Sequence, residues 1–204
     1  AKFTGNSGPL TAVGSGDGGF KTATITMPQV TTIVLTGSNA HALMGLKLHG
    51  ATSTSFTATC NGQSCAQNAE WNVGTGANAL SVSGSYSGYN MKVNAATTVK
   101  FTLICSGLEA CLAGNFQAGS SANTSYAVSL TANGGTKSFF AATFNAPRAT
   151  NMPVKCESNN ACQDAKITGN TGPVTLTTGT FQYAFYTATL TVAQATWMHL
   201  TCGG

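Results

Sequence analysis

Charge is what this chain has least of. Nine Lys and Arg and five Asp and Glu make up 7% of its 204 residues, against about a quarter in an ordinary soluble domain. Disordered segments combine high charge with few apolar residues, so 42% apolar content with so little charge excludes that class. Coiled coils, helical bundles and acidic or basic tails also need charge that is missing here. The formal net charge of +4 is dispersed, with no Lys/Arg cluster to neutralise phosphates, and nucleic acid is not an expected partner. No run approaches the ~18 apolar residues of a spanning helix, so no membrane span is expected. The sequence opens without Met and without a charged-then-apolar leader, which reads as a mature, processed product.

Catalytic equipment is equally sparse. There is no GxSxG, HExxH, P-loop or dinucleotide fingerprint. Glycan-cleaving β-helices use clustered acids. The five acids here (Asp17, Glu70, Glu109, Glu157 and Asp164) fall on no two adjacent rungs of one column in the register derived below. None of the cysteine pairs has CxxC spacing, and His41, His49 and His199 are not grouped near them, so neither a metal nor a cofactor is expected. No residue is assigned a catalytic role.

What the chain does have is seven cysteines, falling as Cys60/Cys65, Cys105/Cys111, Cys156/Cys162 and a single Cys202. Close pairs flanked by Gly, Ser and Asn predict small disulfide loops formed in an oxidising, extracellular compartment. Each loop is short, so each contributes at or below the lower end of the usual ~2–4 kcal/mol.

The cysteine segments also share a phrase: FTATCNGQSCAQNAEWNVG, FTLICSGLEACLAGNFQAG and MPVKCESNNACQDAKITG. It returns without cysteine in IVLTGSNAHALMGLKLHG, LSVSGSYSGYNMKVNA and VTLTTGTFQYAFYTATLTV. Each copy reads as an alternating strand, a small residue or Cys, a polar turn and a second alternating strand. The residue closing the first strand falls at Gly14, Gly37, Cys60, Gly84, Cys105, Ala132, Cys156, Thr178 and Cys202, at intervals of 23, 23, 24, 21, 27, 24, 22 and 24. A supersecondary unit recurring near 23 residues, with an apolar period of 2, predicts an all-β parallel β-solenoid of eight to nine rungs occupying 1–204 as one domain. The alternative is an antiparallel β-sandwich, which turns every 10–12 residues would also suit.

Strand alternation then assigns faces. Inward pairs of the first strand include Leu10/Ala12, Ile33/Leu35, Leu80/Val82 and Met198/Leu200; those of the second include Ala23/Ile25, Ala69/Trp71 and Ala165/Ile167. Outward, the first strand forms two columns. One reads Thr11, Val34, Thr57, Ser81, Thr102, Ser129, Pro153, Thr175 and His199. The other reads Val13, Thr36, Thr59, Ser83, Ile104, Thr131, Lys155, Thr177 and Thr201. Twelve of these eighteen positions are Thr or Ser, a nearly uncharged hydroxyl array that is similar to the Thr-x-Thr faces of β-solenoid ice-binding proteins. The second strand's outward columns are polar, with Lys47, Glu70 and Lys92 in one and an amide run from Asn72 to Asn145 in the other. They are expected to set register and keep the face soluble. Tyr86, Tyr89, Tyr126, Tyr183 and Tyr186 fall in turns or at strand starts and are candidates for a sugar-stacking patch. Asn123 opens a glycosylation sequon.

Neither end of the array shows a helical or charged cap. An open rung exposes strand edge and core, so Leu10, Ala12, Met198, Leu200 and Cys202 form a candidate end-to-end interface. The pattern of alternating strand, Cys, four or five residues, Cys and second strand resembles the disulfide-turn rungs of secreted parallel β-helix repeat proteins. That resemblance implies a secreted repeat architecture. The reading that joins these features is a non-enzymatic extracellular structural subunit of a filament, appendage or matrix. The alternatives are an ice-binding protein using its Thr/Ser face and a carbohydrate-binding or carbohydrate-active β-helix, with ice or a polysaccharide surface as the respective partners.

Overall fold

A computed structural model describes residues 1–5, 7–50, 52–95, 98–119, 126–169 and 172–202, and among them there is no α-helix. The chain winds as a parallel β-solenoid of about eight turns with a period near 23 residues. Strands alternate between two nine-stranded sheets. The first sheet holds β1 (Lys2–Thr4), β3 (Thr24–Thr26), β5 (Lys47–Gly50), β7 (Glu70–Val73), β9 (Lys92–Ala95), β11 (Asn115–Ala118), β13 (Thr143–Asn145), β15 (Lys166–Gly169) and β17 (Thr189–Val192). The second holds β2 (Ser7–Gly14), β4 (Gln29–Gly37), β6 (Ser55–Cys60), β8 (Ala77–Ser83), β10 (Lys100–Ser106), β12 (Tyr126–Asn133), β14 (Ala149–Glu157), β16 (Val174–Thr178) and β18 (Met198–Thr201). Neighbours within each sheet are two strands apart in sequence and pair in parallel, which excludes the antiparallel sandwich.

Alternation of β-branched or aromatic residues with polar ones makes each segment a strand with one wet and one dry face. In the first sheet Ile25, Leu48, Trp71, Val93, Phe116, Phe144, Ile167 and Leu190 stack in register on the dry side, as the sequence pattern requires. Strand β1, which the pattern did not reveal, adds Phe3 beneath Ile25. Rings from different walls meet in the interior, Phe56 edge-on to Trp71 at 5.6 Å and Phe101 against Phe144 at 5.8 Å, contacts that add to the area they bury.

In the second sheet the fourth rung departs from expectation. Cys60 pairs with Val82, and Val82 with Cys105, so the rung marker is Val82 and not Gly84. Gly84 instead begins the following turn with φ 105. The slip is two residues, which preserves the inward parity of Leu80 and Val82 but brings Asn78 into the core between Phe56 and Phe101. Its Nδ2 donates to the carbonyls of Gly74 and Gly76 at 3.3 and 3.4 Å, while its Oδ1, like Trp71 Nε1, is buried without a partner.

The polar turn from second sheet to first is itself a wall. Two residues in each turn, four apart, take left-handed φ: Gly18 with Thr22, His41 with Gly45, Ser64 with Asn68, Tyr86 with Asn90, Glu109 with Ala113, Lys137 with Ala141, Asn160 with Asp164, and Tyr183 with Thr187. Consecutive turns are bonded amide to carbonyl, as in His41 N to Gln63 O at 3.0 Å, Leu43 N to Cys65 O at 2.8 Å and Gly45 N to Gln67 O at 2.8 Å. Bonds of this kind hold conformations that an L-residue alone disfavours by ~1–2 kcal/mol. The opposite corners, from first sheet to second, are shorter and more varied. The long 27-residue interval falls in the corner between β11 and β12; Asn123 of the sequon lies there, outside the described residues.

Candidate functional site

The wet face of the second sheet carries the hydroxyl columns in corrected register. The first column reads Thr11, Val34, Thr57, Ala79, Thr102 and Ser129, with Pro153, Thr175 and His199 above. The second reads Val13, Thr36, Thr59, Ser81, Ile104, Thr131, Lys155, Thr177 and Thr201. Ser81 therefore belongs to the second column, not the first, and Ser83 leaves both. It pairs with Ser106, and its hydroxyl donates to Asn61 Oδ1 at 2.7 Å. The cause is the short rung that pairs Cys60 with Val82, which slides Ala79 into the gap. Every Thr and Ser assigned to this face is exposed or half-buried, but apolar residues, Pro153 and Lys155 interrupt both columns.

The wet face of the first sheet runs Lys47, Glu70, Lys92, Asn115 and, beside it, His49, Asn72, Asn94, Gln117 in the expected register. Asn94 Nδ2 donates to Asn72 Oδ1 at 3.4 Å, and Asn72 Nδ2 lies 3.4 Å from His49 Nδ1. Two adjoining shallow grooves share Glu70, Lys92 and Asn115. Although Lys47, Glu70 and Lys92 are register neighbours, the ion pair found among the described residues lies elsewhere, between His41 Nδ1 and Asp17 Oδ1 at 3.0 Å on adjacent turns.

The acids are scattered, and no group of three or more His, Cys, Asp or Glu able to hold a metal occurs among the described residues. The tyrosines do not form one patch. Tyr126 is 2% exposed, its hydroxyl donating to Ala118 O at 2.6 Å, and burial raises its pKa above the usual tyrosine value. Tyr183 and Tyr186 sit edge-on at 5.5 Å on the last turn, several rungs from Tyr86.

Two of the three expected disulfides are bonded, Cys105–Cys111 and Cys156–Cys162, each six residues apart. Cys60 and Cys65 are free, buried thiols, which corrects the third pairing. The reason is phase. Cys111 N and Cys162 N each donate to the turn above, whereas Cys65, one residue earlier in its turn, offers its carbonyl to the turn below. Its Sγ lies 3.5 Å from Gly37 O, in space that a side chain at Gly37 would occupy. Ser87 and Ser138 hold the same position in later turns, where their carbonyls likewise accept from the turn below. Each hydroxyl donates to a glycine carbonyl of the preceding rung, Ser87 to Gly62 and Ser138 to Gly107, the latter at 3.2 Å. The Cys60 thiol pKa is pushed up, by its contact with the Cys65 sulfur and by burial.

Among the described residues the first and last strands of each sheet are paired on one side alone. Strands β1 and β2 at one end, and β17 and β18 at the other, each have a single neighbour. Of the residues assigned to this interface, Met198 and Leu200 are 47% and 58% exposed and Cys202 is exposed, while Leu10 is half-buried and Ala12 buried. Two features here escape the sequence pattern: Phe3, 48% exposed, and an open apolar cavity of about 400 Å³ bounded by Leu176, Phe181, Phe185, Leu190 and Leu200. The cavity overlies the turn at 178–188, which no further turn covers among the described residues. These features define a parallel β-solenoid with two polar faces. No family model, curated protein or solved structure matches the chain.

Proposed function

We propose that the chain is a non-enzymatic extracellular structural subunit that builds a filament, appendage or matrix by stacking its strands end to end. The observation carrying this reading is the parallel stacking of nine strands in each of two sheets at a near-constant period, a repeat that a further copy can continue. An exposed strand edge templates addition of further strands, and a head-to-tail contact between unlike ends does not close, so it propagates. The two bonded cysteine pairs support the extracellular address. Negative-stain microscopy of the oxidised protein over a concentration series tests the reading. Filaments with an axial repeat of about 43 Å, nine rungs at ~4.8 Å, are expected. Monomers at every concentration overturn it.

The side-by-side Thr57/Thr59 and Thr175/Thr177 pairs on the second sheet favour a second reading, adsorption to ice through the hydroxyl face. Thermal hysteresis that is abolished by Lys at those four positions, with assembly intact, is the result this reading requires.

A further inference from the structure

We propose that the groove on the wet face of the first sheet, at the middle of the solenoid, is a binding site for an uncharged oligosaccharide, with Tyr89 of the adjoining turn as its stacking platform. The inference stands independently of end-on assembly, because the groove crosses the rungs of β7, β9 and β11 and further rungs continue on both sides of it.

The two adjoining grooves share Glu70, Lys92 and Asn115; one adds Asn68 and Asn90, the other Asn72, Asn94 and Gln117. Register sets Glu70, Lys92 and Asn115 one above another, so the site runs about 10 Å along the axis at ~4.8 Å per rung, room for more than one sugar ring. The larger groove encloses about 450 Å³, a volume typical of small-molecule sites. Amides dominate the lining, and each offers a donor and an acceptor side by side, which suits neighbouring sugar hydroxyls that donate and accept in turn. Among the described residues, no hydrogen bond or ion pair within the chain engages the side chains of Asn68, Glu70, Asn90, Lys92 or Asn115. Among the described lining residues one carboxylate, Glu70, balances one ammonium, Lys92, so the groove has no net charge with which to select a polyanion. Glycosidic hydrolysis takes two carboxyl groups, so the arrangement serves binding and not cleavage.

An apolar rail borders the groove on the third wall. The amides of Asn68, Asn90 and Ala113 donate to the carbonyls of Tyr89, Leu112 and Phe140 on the next rung at 2.8, 3.0 and 2.9 Å, which sets those three residues in one column. All three are half-buried, and Tyr89 and Leu112 directly precede Asn90 and Ala113 of the lining. Lys137 Nζ lies 5.0 Å from the centre of the Phe140 ring and caps it. Tyr89 is then the uncapped ring of the rail, with Tyr86, 37% exposed, on the same turn. A pyranose is amphipathic in the matching sense: its C–H face stacks on an aromatic ring while its hydroxyls reach polar groups beside it. A protein partner would call for a mainly apolar centre, which an amide-lined groove lacks.

Isothermal titration of the oxidised protein tests the site, with cellohexaose, chitohexaose, maltohexaose and laminarihexaose as uncharged probes and oligogalacturonate and a heparin oligosaccharide as charged ones. At least one uncharged probe is expected to bind, and neither charged probe. Asn115→Ala on β11 and Asn90→Gly are each expected to weaken binding about tenfold with circular dichroism unchanged. Glycine is used at Asn90 because that residue holds a left-handed φ of 53, which Ala would strain. Tyr89→Leu is expected to weaken binding about tenfold as well, whereas Tyr89→Phe keeps the ring and the affinity. Thr57→Lys, on the other sheet, is expected to change nothing. Binding by none of the uncharged probes, binding confined to the charged ones, affinity unmoved by Asn115→Ala and Asn90→Gly, or equal affinity in Tyr89→Leu and Tyr89→Phe overturns the proposal. Each of these results leaves end-on assembly standing, since that reading is judged by microscopy of filaments.

Discussion

Cys65 shows how much depends on one residue of spacing. Its turn position is shared with Ser87 and Ser138, and like them it donates to a carbonyl of the rung below. Cys65→Ser is therefore expected to change stability by less than about 1 kcal/mol, whereas Cys111→Ser opens a disulfide and is expected to cost about 2 kcal/mol or more; paired thermal melts measure the difference. Tyr126 makes a pH-dependent contribution. Burial raises its folded pKa above that of the unfolded chain, so the stabilisation is fully present below the unfolded value of ~10 and is lost as pH rises through the folded one. Urea midpoints from about pH 7 to 11, a range spanning that unfolded value, are expected to fall at the alkaline end. Tyr126→Phe is expected to flatten part of that fall, at a cost of about 1 kcal/mol at neutral pH for its lost hydrogen bonds.

At the scale of the element, strands and period were legible because both rest on simple repeats: apolar parity of two within a strand, and a return near 23 residues. Columns such as Leu48–Trp71–Val93 follow from parity alone. Three things were hidden. The third wall carries Glu109, Lys137 and Tyr183 at left-handed φ, where sequence signals would ask for Gly or Asn; the cross-rung bonds that impose the conformation connect residues over twenty apart. The register of the fourth rung was hidden because Gly84 resembles the glycines that end β2 and β4. Strand β1 is only three residues long, too short for alternation to announce. The left-handed positions make their own prediction. Glu109→Gly relieves a disfavoured φ while adding unfolded-state freedom, so it is expected to be neutral or stabilising by up to ~1 kcal/mol. At Leu112, which is not among the left-handed residues, Leu112→Gly is expected to destabilise. Thermal melts of the two variants separate these outcomes.

For the whole molecule, stability follows from rungs contacting only their neighbours. Sheet pairings link strands two apart in sequence order throughout, so opening is expected to begin at the ends. Hydrogen exchange should be fastest in β1, β17 and β18 and slowest in β6 to β12. If copies stack end to end as proposed, β1, β17 and β18 should gain protection while the middle is unchanged. Phe3 and the apolar cavity were less legible than the fold, because neither stands out until the column it occupies is known.

The direction of the rung-to-rung hydrogen bonds has a mechanical consequence. Peptide hydrogen bonds run along the solenoid axis, so tension on a stack loads the bonds of one layer in parallel and successive layers in series. Each layer is held by two sheets and the third wall. Under axial load the layer with the fewest such bonds gives way first, and the rungs on either side of it stay folded.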